Sequence, residues 1–393
     1  MPTTGKEFGY LDKSFQGLRV TDRQQVEEAL EALRKADGWI GVSSGRAERA
    51  LSIPFGEFAR NSDDKTYDGY DDVGFPGDTF DLAAPKYENK YRKLAAIFAS
   101  SSGETDDTFE PLEQLTSYLQ QSKSDKWKIL LLTQNPNSRA GKIAKENNGI
   151  VVELKGSENF DSKNYREFGM MRDVGEHEIL WFSQAACQTL KEGQGTDRFY
   201  EFVDERIPTV FRKIYEWSES QTCKNMIYNL RRRCHVFAAG RKGGKEAARF
   251  FIKRMGQVKQ LAEGQAYLLQ GGENAPDPRV GDVVFPISKS GAMQDFYSPA
   301  LKGKQSFMLS CCEKSKKVGA IVYPFVGTPD SPMEKICGSE NTILVDSANK
   351  GFSDVYARIA TQQGIIPIIL TEAYDKEDGI DISPKNLKKK HGW

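Results

Sequence analysis

Four hydroxyl side chains fall within the six residues Ser100-Ser101-Ser102-Gly103-Glu104-Thr105. Serine and threonine hydroxyls can donate to an oxyanion, and a glycine among them lets the backbone approach it closely. Placed between a strand and a helix, such a stretch suits a dianionic phosphate without a metal ion, because the helix dipole adds to the hydroxyls. The same residues also fit an ordinary helix start, with Ser or Thr and a following Glu as a capping box. Ser43-Ser44-Gly45-Arg46 repeats the chemistry on a smaller scale, either to contact a ligand or as a plain glycine turn with a solvated arginine. Glu176-His177-Glu178 supplies the residue types that move protons in general acid–base catalysis. Its plainer reading is an acidic helix start favoured by the dipole, with His177 solvated.

Each stretch needs an element to position it. Leu94 to Ala99 is a buried-type strand running into the serine stretch, and Trp39-Ile40-Gly41-Val42 is a strand running into Ser43. Helical patterns cover Thr21 to Ala36 and Glu176 to Leu190; on the latter, His177, Trp181 and Gln184 share a face and Glu178 lies beside it. The order then repeats. A helix from Thr196, the strand Val236 to Ala239 and Gly240-Arg241-Lys242 parallel the first helix, strand and turn. Val283 to Ile287, ending in Ser288-Lys289-Ser290-Gly291, parallels the serine stretch. The run from Ile129 matches the run from Ala320, with Pro136 and Pro329, Ser138 and Ser331, and Lys142 and Lys335 all at an offset of 193. Gly45-Arg46 and Gly240-Arg241 lie 195 apart, and Ser102-Gly103 and Ser290-Gly291 lie 188 apart. Strands alternating with helices imply parallel sheets, whose ligands bind outside the carboxyl ends of the strands. The expected fold is α/β: two tandem domains, each a three-layer α/β/α sandwich around a parallel, flavodoxin-like sheet. The expected spans are 1–192 with a leading helix, 193–378, and a tail at 379–393.

Composition removes several classes. Lys plus Arg (55) balance Asp plus Glu (55), so the basic face of a nucleic-acid binder is not expected. The apolar runs, such as Ile129 to Leu132 and Ile365 to Leu370, are short of a membrane span, and the N-terminus has no apolar signal core. A soluble, cytoplasmic protein is expected. The cysteines (Cys187, Cys223, Cys234, Cys311, Cys312 and Cys337) lack the paired spacing of a zinc site and read as reduced thiols. With three histidines in the chain, His177, His235 and His391, cysteine catalysis lacks a base, and His235 reads as a strand-edge residue. Asn61 to Tyr70 reads as a polar loop or insertion; Asp63-Asp64 and Asp71-Asp72 show no metal-ligand spacing. No metal and no organic cofactor are expected.

Ser-x-Ser-Gly-Glu-Thr followed by the Asn135-Pro136-Asn137-Ser138 turn resembles the sugar isomerase (SIS) domain family. The resemblance covers roughly Trp39 to Leu154 and, more weakly, His235 to Asp346. It implies phosphosugar binding through Ser100, Ser101, Ser102 and Thr105, with Ser43, Ser44 and Arg46 lining the sugar. It further implies an intramolecular aldose–ketose isomerase of carbohydrate metabolism, working through a cis-enediol, with Glu178 as the proton shuttle and His177 assisting. Because such sites borrow groups across interfaces, a homodimer is expected.

The second copy departs from the pattern, since Ala292 and Met293 stand where Glu104 and Thr105 stand in the first. One working site is therefore expected, in the first domain. The tail core Pro384-Lys385-Asn386-Leu387 resembles that of glucosamine-6-phosphate synthase isomerase domains, which implies a catalytic role for Lys389; the plainer reading is a solvated terminal lysine run. The complete synthase reaction is not expected, because residue 2 is Pro2 rather than cysteine and Arg254 to Asn274 contains no histidine. An amino-sugar-phosphate deglycase or deaminase and a non-catalytic sugar-phosphate-binding regulator are the alternatives.

Overall fold

Short apolar runs alternating with amphipathic ones give strand–helix order from residue 38 to residue 153 and again, less regularly, from residue 236 to residue 344. A computed structural model describes residues 9–69, 79–156, 173–230, 232–241, 243–259, 264–269, 275–288, 290–291 and 306–344. Two compact units result: the first holds Gly9–Asn159 and Met171–Pro208, and the second holds the described residues from Thr209 onward.

The first unit runs α1 (Gly9–Arg19), α2 (Arg23–Lys35), β1 (Gly38–Val42), α3 (Gly45–Arg60), β2 (Thr66–Gly69), α4 (Phe80–Lys90), β3 (Leu94–Ala99), α5 (Asp106–Ser122), β4 (Trp127–Thr133), α6 (Arg139–Glu146), β5 (Ile150–Glu153) and α7 (Asp173–Lys191). Its sheet is all parallel in the order β2-β1-β3-β4-β5, the flavodoxin-like order. Side chains alternate across the sheet, so Ile40, Val42, Ala96, Phe98, Ile129 and Leu131 pack on α4, α5 and α6. Trp39, Ile97, Leu130 and Leu132 are equally buried on the opposite face. Every residue of β3 is buried, as a strand covered on both faces requires. α2 shows how locally the helices are specified. Asp22 caps it by accepting from the Gln25 N–H at 3.0 Å, and Val26, Ala29, Leu30 and Leu33 form its buried stripe.

The boundary between the units falls at Pro208, inside α8 (Thr196–Ser218), where the helix lacks one N–H. The second unit continues with α9 (Gln221–Leu230), β6 (Val236–Gly240), α10 (Gly243–Lys259), β7 (Ala266–Leu268), β8 (Val283–Ser288), α11 (Phe307–Lys317), β9 (Ile321–Val322), β10 (Phe325–Val326), α12 (Pro332–Cys337) and β11 (Ile343–Leu344). Its parallel order, β11-β10-β8-β6-β7 with β9 also on β8, is the first sheet's order read from the other end. The fourth strand of this copy is broken into β9 and β10 around Pro324, which cannot donate to a ladder. The α/β architecture with two parallel sheets is thus the one expected.

Some local readings differ. The polar stretch from Asn61 contains β2, an edge strand paired with β1. The helix expected from Glu176 starts earlier, at Asp173. The two glycine–arginine turns also diverge: α3 begins at Gly45, whereas Arg241 precedes α10 as an exposed residue with its guanidinium over Phe307. Among the described residues no helix is long and apolar enough to cross a membrane.

Candidate functional site

β1, β3 and β4 pair in register up to their carboxyl ends, Val42 opposite Phe98 and Ala99 opposite Leu132. Their following loops therefore meet at one edge of the sheet. The strand order reverses between β1 and β3, and that crevice is where open parallel sheets bind ligands. Ser43 follows β1 and Ser100 to Thr105 follow β3, so the topology brings both hydroxyl-rich stretches to this crevice. Ser43 Oγ donates to the Ala99 carbonyl at 2.6 Å, tying the first loop to the end of β3.

The serine loop is internally braced. The Ser100 N–H donates to the Leu132 carbonyl at 3.1 Å, and the Gly103 N–H lies 3.1 Å from Ser100 Oγ. Gly103 has φ +65°, the left-handed region that glycine enters without strain. Ser100 Oγ lies 3.1 Å from Thr105 Oγ1, and the Glu104 N–H donates to Ser102 Oγ at 3.2 Å. Thr105 is the N-cap of α5, yet its side chain makes no cap hydrogen bond. The capping-box reading is therefore not realised here. Ser44, the N-cap of α3, makes no side-chain cap bond either. Ser100 and Ser101 are buried, and Ser102 and Thr105 are half-buried.

Arg46 is neither solvated nor unpaired. It is buried, with Nη1 2.5 Å from Asp173 Oδ1 and Nε 2.8 Å from Glu176 Oε2. A buried guanidinium requires such partners, since desolvating an unpaired charge costs several kcal/mol. The first turn of α7 is thereby joined to the first turn of α3. The same turn abuts the serine loop: a Cβ on Gly175 would lie 2.3 Å from Ser101 Oγ and 2.6 Å from Gln134 Oε1.

α7 is buried on every side from Asp173 to Cys187. His177 is fully buried, with its ring edge-on to Tyr10 at 5.6 Å, rather than solvated. The Glu178 carboxylate is also fully buried and accepts from the Gly156 N–H at 2.7 Å and from Gln134 Nε2 at 2.8 Å. α1 presses on it, and a Cβ on Gly17 would come 2.1 Å from Glu178 Oε1. The fold therefore gathers Ser43, Ser44, Arg46, Ser100, Ser101, Ser102, Thr105, Glu176, His177 and Glu178 around three strand ends and the start of α7. Lys389 and the tail lie outside the described residues. Two residues of the assembly carried no recognisable pattern. Gln134 directly follows β4 and joins Ser101, through its N–H, to Glu178, through its side chain. Asp173 lies in a polar stretch, one helical turn before Glu176.

Elsewhere the chemistry-bearing residues are structural. His235 Nδ1 accepts from the Gln265 N–H at 3.3 Å, and its own N–H donates to Asp282 Oδ1 at 2.9 Å. All the cysteines are buried, and burial pushes the Cys311 thiol up to about 11. Among the described residues no group of three or more His, Cys, Asp or Glu could hold a metal ion. A groove of about 1100 Å³ between α2 and the start of α8 shares no residue with the serine loop. Its walls are ion-paired, Arg23 with Asp197 and Arg198 with Glu192.

No family model matches the sequence, and no curated protein matches it. Solved structures do match the fold. The C-terminal domain of glucosamine-fructose-6-phosphate aminotransferase from Francisella tularensis superposes with a TM-score of 0.58 at 13% identity, covering 98% of this chain and 95% of that one. Tagatose-6-phosphate ketose/aldose isomerase from Escherichia coli gives 0.60 at 13% identity, over 94% and 92%. Glucosamine-6-phosphate deaminase from Thermotoga maritima gives 0.55 at 15% identity, over 96% and 97%. Coverage is near complete in both directions, so the likeness in fold is not confined to one of the two units.

Proposed function

We propose that the chain belongs to the sugar isomerase domain family and that its first unit interconverts an aldose phosphate and its ketose. The observation that carries the ligand half of this reading is Thr105. It occupies the N-cap position of α5 at the topological switch point, but its hydroxyl lies 3.1 Å from that of Ser100 and makes no bond to its own helix. Hydroxyls and a helix start then converge where a phosphate would sit, with Ser100, Ser101, Ser102 and Thr105 as donors. The names of the three solved proteins all carry a sugar 6-phosphate, which supports the same ligand class.

In the proposed reaction, Ser43, Ser44 and Arg46 line the sugar, which reacts in its open-chain form. Glu178 takes the proton from C2 of the aldose, the C–H electron pair forms the C1=C2 bond, and the C1 oxygen accepts a proton. The cis-enediol then collapses to the ketose as the C2 hydroxyl gives up its proton and Glu178 returns one to C1. No electron leaves the substrate and no co-reactant is consumed. Ring opening falls to His177 or Lys389, and groups of a second copy of the chain complete the site.

A second reading has its own observation. Both Glu178 oxygens are already occupied, by Gly156 and Gln134, as expected of an internal strut in a protein that binds sugar phosphates without turning them over. Glu178→Gln separates the two in a panel of pentose and hexose phosphates. Isomerisation in the parent, with turnover lost and binding kept in the variant, supports the isomerase. Binding without turnover in the parent assigns a sensor.

A further inference from the structure

The helix after the fourth strand begins in the same way in both units, with one difference. In the first unit Ser138 caps α6: the Gly141 N–H donates to Ser138 Oγ at 3.1 Å, and the Ala140 N–H donates back to the Gly103 carbonyl of the serine loop at 3.2 Å. In the second unit Ser331 caps α12: the Glu334 N–H donates to Ser331 Oγ at 3.3 Å, and the Met333 N–H donates to the Gly291 carbonyl at 3.1 Å. Both glycines are left-handed, with φ +65° and +61°, and a Cβ on either would lie about 2 Å from the cap serine (2.0 and 2.1 Å). The remaining N–H of the first helical turn is where the copies differ. In the first unit the Arg139 N–H donates to Glu104 Oε1 at 3.0 Å. In the second unit that position is Pro332, which has no N–H, and the position of Glu104 is Ala292. Donor and acceptor are absent together.

Paired loss indicates what the acceptor does. We infer that Glu104 is a positioning residue, a long-range cap on α6 that pins the serine loop through the Arg139 N–H, and that it makes no contact with the phosphate. Glu104 is exposed and its carboxylate is directed to α6, whose opening N–H groups are all taken by Glu104, Gly103 and Ser138. The dipole of α6 is thus spent on the protein's own carboxylate, which leaves the N-termini of α3 and α5, whose N-cap side chains make no cap bond to their own helices, for the proposed phosphate. The arginine side chain is a separate contribution, stacked 3.5 Å over the Phe109 ring.

This inference rests on the proposed ligand class for its binding arm only. The full chain would be prepared as Glu104→Ala, Glu104→Gln, Arg139→Pro, Arg139→Ala and the Glu104→Ala/Arg139→Pro double variant. Unliganded Tm and the hydrogen exchange of the Arg139 amide read the bond itself, and affinity for inorganic phosphate and fructose 6-phosphate reads positioning. Glu104→Ala is expected to speed Arg139 amide exchange and to weaken both ligands about tenfold, the scale of one charge-assisted hydrogen bond. Glu104→Gln, which still presents an acceptor oxygen, is expected to restore most of the affinity, and Arg139→Ala, which keeps the N–H, to bind as the parent does. In the Arg139→Pro background, Glu104→Ala should have no further effect. Equal loss in Glu104→Gln and Glu104→Ala, or additive Tm losses in the double variant, would overturn the inference. If the parent binds neither ligand, the proposed function fails, while exchange and the Tm cycle still decide the clasp.

Discussion

Thr105 could serve the protein in two ways, and valine at that position distinguishes them. A hydroxyl that caps a helix contributes about 1 kcal/mol to stability whether or not ligand is present. In this fold Thr105 makes no cap bond and faces Ser100 instead. Thr105→Val is therefore expected to leave the unliganded Tm within a degree or two and to weaken fructose 6-phosphate about tenfold, the value of one hydrogen bond to a charged group. A large Tm loss without ligand would return Thr105 to an ordinary cap. Glu178 is the opposite case, because its carboxylate is internal and doubly hydrogen-bonded. Glu178→Ala would remove the acceptor of two half-buried donors, the Gly156 N–H and one Gln134 Nε2–H, and is expected to cost roughly 1–3 kcal/mol, measured by urea denaturation. The Gln variant, which keeps one acceptor, is the better probe of catalysis.

At the scale of elements, the serine loop is held by the start of α6. Gly103→Ala must place a Cβ 2.0 Å from Ser138 Oγ on a backbone with φ +65°. It is expected to lower the stability of the first unit by more than about 1 kcal/mol, visible as a drop in Tm. In the second unit, α11 carries a titration. The Cys311 thiol, ordinarily near 9.0, is raised to about 11 by burial, so the folded state holds its proton where the unfolded state has released it. Its contribution is complete below pH 9 and is lost as pH rises through 11. Cys311→Ala should flatten the fall of Tm over that window; an unchanged slope would contradict it. The elements that were legible in the sequence are those whose residues state their environment. Leu94 to Ala99 is uniformly apolar because both its faces are covered, and the Thr21 to Ala36 pattern carries a cap and a stripe. β2 was not legible, because Thr66-Tyr67-Asp68-Gly69 is an edge strand supported on one side and needs no apolar pattern. α4 was not read either; Pro85 interrupts its pattern, and contacts of Phe80 with Phe98 and Trp127 hold it in place. The candidate site was legible where hydroxyls cluster, in the serine loop and Ser43-Ser44. Its other half was not, because the partners of Arg46 and Glu178 are supplied by residues distant in sequence, Asp173 and Gln134.

For the whole molecule, the two copies share strand order and the glycine–serine clasp, but the second lacks the Glu-Thr pair after its glycine. One phosphosugar per chain is therefore expected, and calorimetric titration should give a stoichiometry near one. Zero formal charge is compatible with this, since local hydroxyls and helix N-termini can meet a small dianion without a basic surface. The central claim is that the serine loop of the first unit is the phosphate site. Its most direct test is the rise in Tm with fructose 6-phosphate, which follows from ligand binding to the native state, compared across the parent, Ser102→Ala/Thr105→Val and Ser290→Ala. The account predicts a rise in the parent and in Ser290→Ala that is lost in the first-unit double variant. A rise of equal size in that double variant would contradict it.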